Sequence, residues 1–318
     1  MLNISVAFPD KVVYNSELQE LNPDYNFPRL EKKLGIKSRH VCSDTESAFD
    51  IAVKACNSLF ENYDKSKIDF IIYCTQSPEY FLPTTACVLQ NKLDLNTNCG
   101  AFDFNLGCSG YIYGLSMAKA YIQSGIAENV LLVTAEAYSK HLHKDDLTNR
   151  AIFGDAATAT VIDKEFSAKI GSFNLGSDGS GAEHLIVKSG AGKSSFKSGD
   201  SKEDLFYMNG PEVFQFTLNS VPKSVEDCLL KNETSKNDVD FFIFHQANKY
   251  MLSNLRKKIG IDEDKFYVNV EETGNTVSST IPIAIAQSIE SGLIKVGDSV
   301  LLCGFGVGYS WGSTIIKF

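Results

Sequence analysis

Three features of the sequence predict an α/β fold made of two copies of one unit. Short runs of β-branched and aromatic residues alternate with stretches of helical periodicity. Segments of the second half resemble segments of the first, in the same order. The chain has 318 residues, 43% of them hydrophobic and 22% charged, which is the make-up of an ordinary globular protein. That length suits one large domain or two of usual size. Alternating strands and helices of this kind predict mostly parallel sheets with helices on both faces.

Along the chain, residues 1–40 read as irregular, with a helical patch around Leu30 to Leu34. Ser47 to Glu61 follows helical periodicity, with Phe49, Ala52, Val53 and Ala55 on the apolar side. Ile68 to Cys74 is a short aromatic and β-branched run and reads as a buried strand. Pro83 suits the start of a helix through Cys87 to Leu93. Ala101 to Asn105 reads as a strand and Ser109 to Ser124 as a helix. Asn129 to Thr134 and Thr158 to Ile162 are further strands, and Ser313 to Phe318 is a last one. Residues 189–204 are rich in Gly, Ser and Lys and read as an exposed, mobile loop.

The repeat is visible in three places. Lys67 to Tyr73 resembles Asp238 to Phe244, Tyr121 to Gly125 resembles Ser288 to Gly292, and Asn129 to Leu132 resembles Ser299 to Leu302. A nearly constant separation of about 170 residues predicts halves at 1–170 and 171–318, with a site between them.

Composition excludes several functions. A net charge of −9 argues against a general nucleic-acid binder. No apolar run is long enough to span a bilayer, and the first residues do not resemble a secretion signal. The eight cysteines are scattered, the closest pair, Cys99 and Cys108, being nine apart. That spacing supports neither a zinc site nor a disulfide scaffold, and it points to free thiols in a reducing cytoplasm. His141 and His143 lie in a charged segment and read as a solvated loop rather than a metal pair.

One cysteine stands apart. Cys108, in Asn105-Leu106-Gly107-Cys108-Ser109-Gly110, falls where a strand gives way to a helix, and unpaired helical N–H groups there favour a thiolate. In the second half, the strand ending at Phe244 delivers His245, and the place matching Cys108 is Asn275, ahead of the helix Ser279–Glu290. Ligands of α/β sheets lie beyond the carboxyl ends of strands, so Cys108, His245 and Asn275 can converge on one cleft. Taken alone, His245 could equally be a satisfied core residue and Asn275 a turn residue. The glycines at 304, 306 and 308 let backbone N–H groups face a cavity, as a developing oxyanion requires.

Jointly and in order, several motifs resemble the β-ketoacyl-acyl-carrier-protein synthase III family of the thiolase superfamily, over essentially the whole chain. They are Gly107-Cys108-Ser109-Gly110, Phe153-Gly154-Asp155, Met208 to Phe214, His245-Gln246-Ala247-Asn248, Gly274-Asn275-Thr276 and the Gly304–Gly312 turn. The resemblance implies a thiolase-like duplicated βαβαβαββ fold in five layers, α-β-α-β-α, forming homodimers. It implies a ping-pong acyltransferase that loads an acyl group on Cys108 and then condenses it with malonyl-acyl carrier protein, releasing carbon dioxide. The backbone N–H groups of Cys108 and Val307 would form the oxyanion hole, and His245 and Asn275 would hold the enolate oxygen. Acyl-CoA or acyl-carrier-protein donors and malonyl-carrier protein are the implied substrates, with no cofactor or metal.

The same resemblance implies substrate contacts at Leu82, Phe305, Asn248, Arg29, Lys33 and Arg150, with Leu82 crossing a dimer interface. Members using acetyl-CoA carry a tryptophan and an arginine where this chain has Arg29 and Lys33, which implies a primer that differs from acetyl-CoA or arrives on a carrier protein. Lys249, Arg256, Lys257 and Lys258 match the family's basic surface for the acidic acyl carrier protein, while Tyr250 stands where an arginine is usual. A non-condensing acyltransferase, a non-catalytic dimer partner of chain-length-factor type and a papain-like hydrolase are the alternatives. Retention of all three polar residues disfavours the second, and the duplicated pattern disfavours the third.

Overall fold

The computed structural model describes residues 2–192 and 205–318. In chain order the strands are β1 (Asn3–Ala7), β2 (Val12–Tyr14), β3 (Ser38–His40), β4 (Phe70–Cys74), β5 (Gly100–Phe104), β6 (Asn129–Glu136) and β7 (Ala156–Asp163). They continue with β8 (Asn174–Ser177), β9 (Leu185–Val187), β10 (Phe206–Met208), β11 (Phe241–Phe244), β12 (Ser299–Gly306) and β13 (Ser310–Lys317). The helices are α1 (Asn15–Leu21), α2 (Phe27–Leu34), α3 (Ala48–Phe60), α4 (Thr85–Lys92), α5 (Gly110–Gln123), α6 (Leu147–Arg150), α7 (Lys164–Lys169), α8 (Gly210–Lys231), α9 (Lys249–Ile259) and α10 (Thr280–Glu290). None of the described helices is long and apolar enough to cross a membrane.

Two large sheets follow one plan. The first has the order β1-β7-β6-β4-β5 and the second β11-β12-β13-β8. Thus β4, β6, β7 and β1 of one sheet correspond to β11, β12, β13 and β8 of the other. The place of β5 is marked in the second sheet only by the bridge Phe242–Phe266. The sheets are mixed, not mostly parallel as the alternation predicts. β4 is parallel to β5 and β6, and β11 to β12, but β7 and β13 run back antiparallel to β6 and β12. The physical reason is plain for β13: the few residues between Gly306 and Ser310 are too short for a parallel crossover.

Helices α3 and α4 cover the outer face of the first sheet, and α8, with α9 against it, covers the second. Helices α5 and α10 lie between the sheets. Their apolar residues Tyr111, Ile112, Leu115, Ile281 and Ile285 join β4, β6, β11 and β12 in one buried cluster. The chain is therefore layered α-β-α-β-α, a thiolase fold. Ser47 caps α3 by accepting from the Asp50 N–H while Asp50 bonds the Ser47 N–H in return, so that helix starts where the sequence predicts.

Residues 2–40 are ordered, contrary to the irregular reading. β1 is an edge strand on β7, and β2 pairs with β3. Both are too short to carry a periodic signal, and pairing to distant strands supplies their order. Asn26 caps α2, and Gly35 at φ +73° ends it. Of the loop predicted over 189–204, positions 193–204 lie outside the described residues, and Ser189 and Gly190 are buried.

This leading segment is fastened by Arg39, which is fully buried. Its guanidinium donates to Val13 O (3.1 Å), Asn15 Oδ1 (2.6 Å) and Ala151 O (2.8 Å). Burial pulls its pKa down to about 10, still charged at neutral pH. Arg39→Ala takes the donor from three acceptors, two of them in buried contacts. We expect a stability loss of about 3 kcal/mol, seen as a lower urea midpoint with unchanged slope.

Candidate active site

Cys108 sits in the turn between β5 and α5, closed by Gly110 N–H donating to Gly107 O at 2.7 Å. It is buried because β12 presses on it. A Cβ at Gly306 would come 2.8 Å from Cys108 Cβ and 3.0 Å from its Sγ. Only glycine permits that approach, which brings the Val307 backbone to the sulfur. The backbone N–H groups of Cys108 and Val307 favour the charged form of the sulfur.

His245 follows β11 and is buried, its N–H donating to Cys303 O at 2.8 Å. The ring Nδ1 lies 2.7 Å from Thr280 Oγ1, at the head of α10, and the Phe305 ring stands nearly perpendicular to the imidazole at 5.4 Å. Asn275 is carried to the first half by main-chain bonds: its N–H donates to Ile152 O (2.8 Å), and Gly154 N–H donates to its carbonyl (3.0 Å). Its Oδ1 accepts from Val277 N–H at 2.9 Å, which leaves the side-chain NH2 free to donate. Val277 has φ +56°, a left-handed conformation that is an outlier for a β-branched residue and that turns the chain into the following helix.

One cavity of about 470 Å³ joins these three side chains. Cys108, His245, Asn275, Phe305 and Val307 line it together, and Tyr138, Phe153, Leu185 and Val213 contribute apolar walls. Tyr138, Phe153 and Phe206 pack against one another, with centroids 5.2–5.6 Å apart. A largely apolar chamber with a few convergent polar groups is the usual form of a small-molecule site.

Electrostatics overturn one expectation. The helix start predicts a thiolate, but burial pushes the Cys108 thiol up to about 12, and the Glu136 charge adds to this. Desolvation outweighs two N–H bonds and the helix dipole, so the resting group is a neutral thiol. Burial pushes the His245 imidazole down to about 3, so it too is neutral at physiological pH.

The family model for 3-oxoacyl-[acyl-carrier-protein] synthase III matches residues 102–179, and its C-terminal model matches 229–318. A β-ketoacyl-[acyl-carrier-protein] synthase III of Clostridium perfringens is 36% identical over all of this chain and 98% of its own. The chain belongs to the β-ketoacyl-acyl-carrier-protein synthase III family. A crystal structure of a 3-oxoacyl-(acyl-carrier-protein) synthase III superposes with TM-score 0.95 at 41% identity, covering 99% of this chain and 98% of that one. The Thermus thermophilus synthase III superposes with TM-score 0.90 at 31% identity, covering 99% and 98%.

The residues that family resemblance implies as substrate contacts are placed unevenly. Asn248 lines the cavity, although its Oδ1 is engaged capping α9 through Met251 N–H at 2.9 Å. Lys33 lines the mouth with its ammonium 5.0 Å over the Tyr250 ring, and Tyr250 stacks on Phe214. Arg29 lines a second hollow at the mouth with Tyr25, Asn26, Leu30 and Lys33. Arg150 does not reach the cavity, because its guanidinium is turned onto Lys144 O at 2.6 Å. Leu82 is 84% exposed and lines no part of the cavity.

On α9, Lys249 stands at the mouth end, and Lys257 and Lys258 are exposed at the far end, about 12 Å along the helix. Arg256 is tied to Glu263 (3.0 Å) and Ile261 O (3.2 Å). His141 is not a solvated loop residue: it packs edge-on against Tyr138 and its Nε2 lies 3.2 Å from Ser77 Oγ. His143 Nδ1 accepts from the Asp145 backbone N–H at 3.1 Å. Among the described residues no group of three His, Cys, Asp or Glu could hold a metal ion.

Sequence reading missed Thr280, Tyr138, Val277 and Glu136. The strand that reads as ending at Thr134 runs on to Glu136, so an acidic residue closing an apolar strand was the available signal. The Phe153-Gly154-Asp155 motif also gains a reason: a Cβ at Gly154 would meet Thr273 O at 2.4 Å. Gly154→Ala therefore pushes the Asn275 segment off its seat. We expect about 2 kcal/mol lower stability in urea unfolding, with Asn275 Nδ2 signals shifted in NMR spectra.

Proposed function

We propose that the protein is a condensing enzyme that takes an acyl group from a thioester donor onto Cys108 and joins it to malonyl-acyl carrier protein. The observation that carries this reading is the single cavity shared by Cys108, His245 and Asn275, with two backbone N–H groups at the sulfur.

In the first half-reaction Cys108 Sγ attacks the acyl carbonyl. The tetrahedral oxyanion is held by the N–H groups of Cys108 and Val307, and the thiol proton passes to the departing donor thiol. In the second, malonyl thioester loses carbon dioxide, and the enolate oxygen receives hydrogen bonds from Asn275 Nδ2 and His245 Nε2. For Nε2 to donate, the neutral ring carries its single proton there, and the Thr280 hydroxyl turns from Val277 O, to which it donates at 3.0 Å, onto Nδ1 at 2.7 Å. The α-carbon then attacks the acyl-Cys108 carbonyl, a new carbon–carbon bond forms, and the sulfur leaves and regains a proton.

Arg29 and Lys33 at the mouth suit a phosphate on the donor's arm, and Lys249, Lys257 and Lys258 suit the acidic surface of a carrier protein. No cofactor enters this chemistry. The consecutive exposed side chains Tyr80, Phe81 and Leu82 favour a homodimer in which a second copy covers them. Eight unpaired cysteines fit a reducing cytoplasm.

Intact-mass analysis after incubation with acyl-CoAs and acyl-carrier proteins tests the reading. We expect an acyl adduct on Cys108 and carbon dioxide release when malonyl-carrier protein follows; no adduct with any donor would sink it. His245→Ala and Asn275→Ala should keep the adduct and lose condensation about 100-fold or more. Because His245 is neutral, condensation should show no acid limb from that ring between about pH 5 and 8.

A further inference from the structure

Glu136 closes β6 and is wholly buried, yet no step above uses it. Its carboxylate accepts from three donors on two distant segments. Gln76 N–H reaches it at 3.1 Å and Ser77 Oγ at 3.4 Å, just beyond β4, and Ser278 Oγ reaches it at 2.8 Å from the second half. Each of those donors adjoins the site. The Gln76 side chain accepts from Tyr138 OH at 2.5 Å and donates to Asn105 Oδ1 at 3.0 Å, so it joins a wall of the cavity to the turn that carries Cys108. Ser278 follows Val277, whose N–H holds the Asn275 amide. Ser278, which donates to the carboxylate, also stands at the head of α5: a Cβ on Gly110 would touch the Cys74 sulfur at 2.2 Å and stand 3.7 Å from Ser278 Cβ.

Building on the condensing reading, we propose that Glu136 is a positioning residue of this site. It fastens the Gln76–Ser77 and Asn275–Ser278 segments on either side of Cys108, and its negative charge competes with the Cys108 thiolate for the positive end of α5. Two anions cannot share one buried helix end cheaply. The ionised form suits its partners, because a backbone N–H and two hydroxyls all donate to it. Burial nevertheless pushes the carboxyl up to about 8, so both its forms are accessible near neutral pH.

The other titratable groups facing this cluster do not supply a cation. Cys74 and Tyr73 on β4, with Tyr138, are held neutral by burial, and His141 is pushed below its ordinary range. Asp155, tied to Ser139 and the Cys42 N–H, adds a second negative charge. Protonating Glu136 therefore removes the nearest charge that opposes thiolate formation at Cys108.

The test is the pH profile of Cys108 alkylation by iodoacetamide, mapped by mass spectrometry, in wild type, Glu136→Gln, Glu136→Asp and Ser278→Ala. We expect Glu136→Gln to raise the rate at least threefold at pH 9, where the wild-type carboxyl is ionised, to change it little at pH 6, and to displace the profile to lower pH. Glu136→Asp, which keeps the charge, should return it towards wild type. Ser278→Ala, which takes a donor from the carboxylate and favours its neutral form, should raise the rate about twofold and carries the test if the Gln variant does not fold. Profiles unchanged in Glu136→Gln and Ser278→Ala would overturn the proposal, as would a Glu136→Asp profile displaced as far as that of Glu136→Gln. Alkylation needs neither acyl donor nor carbon dioxide release, so a failed condensation assay with a displaced profile counts against the functional reading alone.

Discussion

The site depends on a short main-chain bridge between the halves. Asn275 donates to Ile152 O and accepts from Gly154 N–H, so a residue of the second half is bound like a strand residue to the first. Everything that faces Cys108 from the second half hangs on this seam. The Asn275 amide is oriented by Val277, and the same turn places Ser278 on Glu136 and Thr280 on His245. The left-handed backbone at Val277 costs about 1–3 kcal/mol, and the seam on one side with the packed head of α10 on the other offsets it.

A second constraint is how closely β12 meets the Cys108 turn. Glycine at 306 lets the strand touch the cysteine side chain, and the contact both buries the sulfur and brings the Val307 backbone up to it. The two effects oppose each other electrostatically. Desolvation disfavours the thiolate, while the N–H pair favours any anion formed there. A pocket of this kind is poorly suited to storing a resting thiolate and well suited to an oxyanion that exists only during acyl transfer.

Much of the fold was legible in the chain. Buried strands such as Phe70–Cys74 and Phe241–Phe244 are short apolar runs, and the periodic helices α3 and α5 begin where capping and turn residues stand. The matching of β4 with β11 and of β6 with β12 could be read as repeated sequence. The direction of β7 and β13 could not, because a strand's partners lie outside its own residues. Nor could β1, β2 and β3, whose few residues are ordered only by pairing and by Arg39, a charged residue that no local pattern would put in the interior.

By itself the sequence determined which chemically able groups stand at strand ends: a cysteine between two glycines, a histidine after a buried strand, and an asparagine in a glycine turn. Residue identity and local periodicity carry that information. Only the tertiary structure decided their protonation and their company. Cys108 and His245 are neutral because segments far away in the chain exclude water from them, and Glu136 bears on the cysteine because β6 packs against α5. The same distant packing turned Arg150 away from the cavity and drew His141 out of solvent. Desolvation and charge proximity are properties of what covers a residue, and a chain read in one dimension does not contain them.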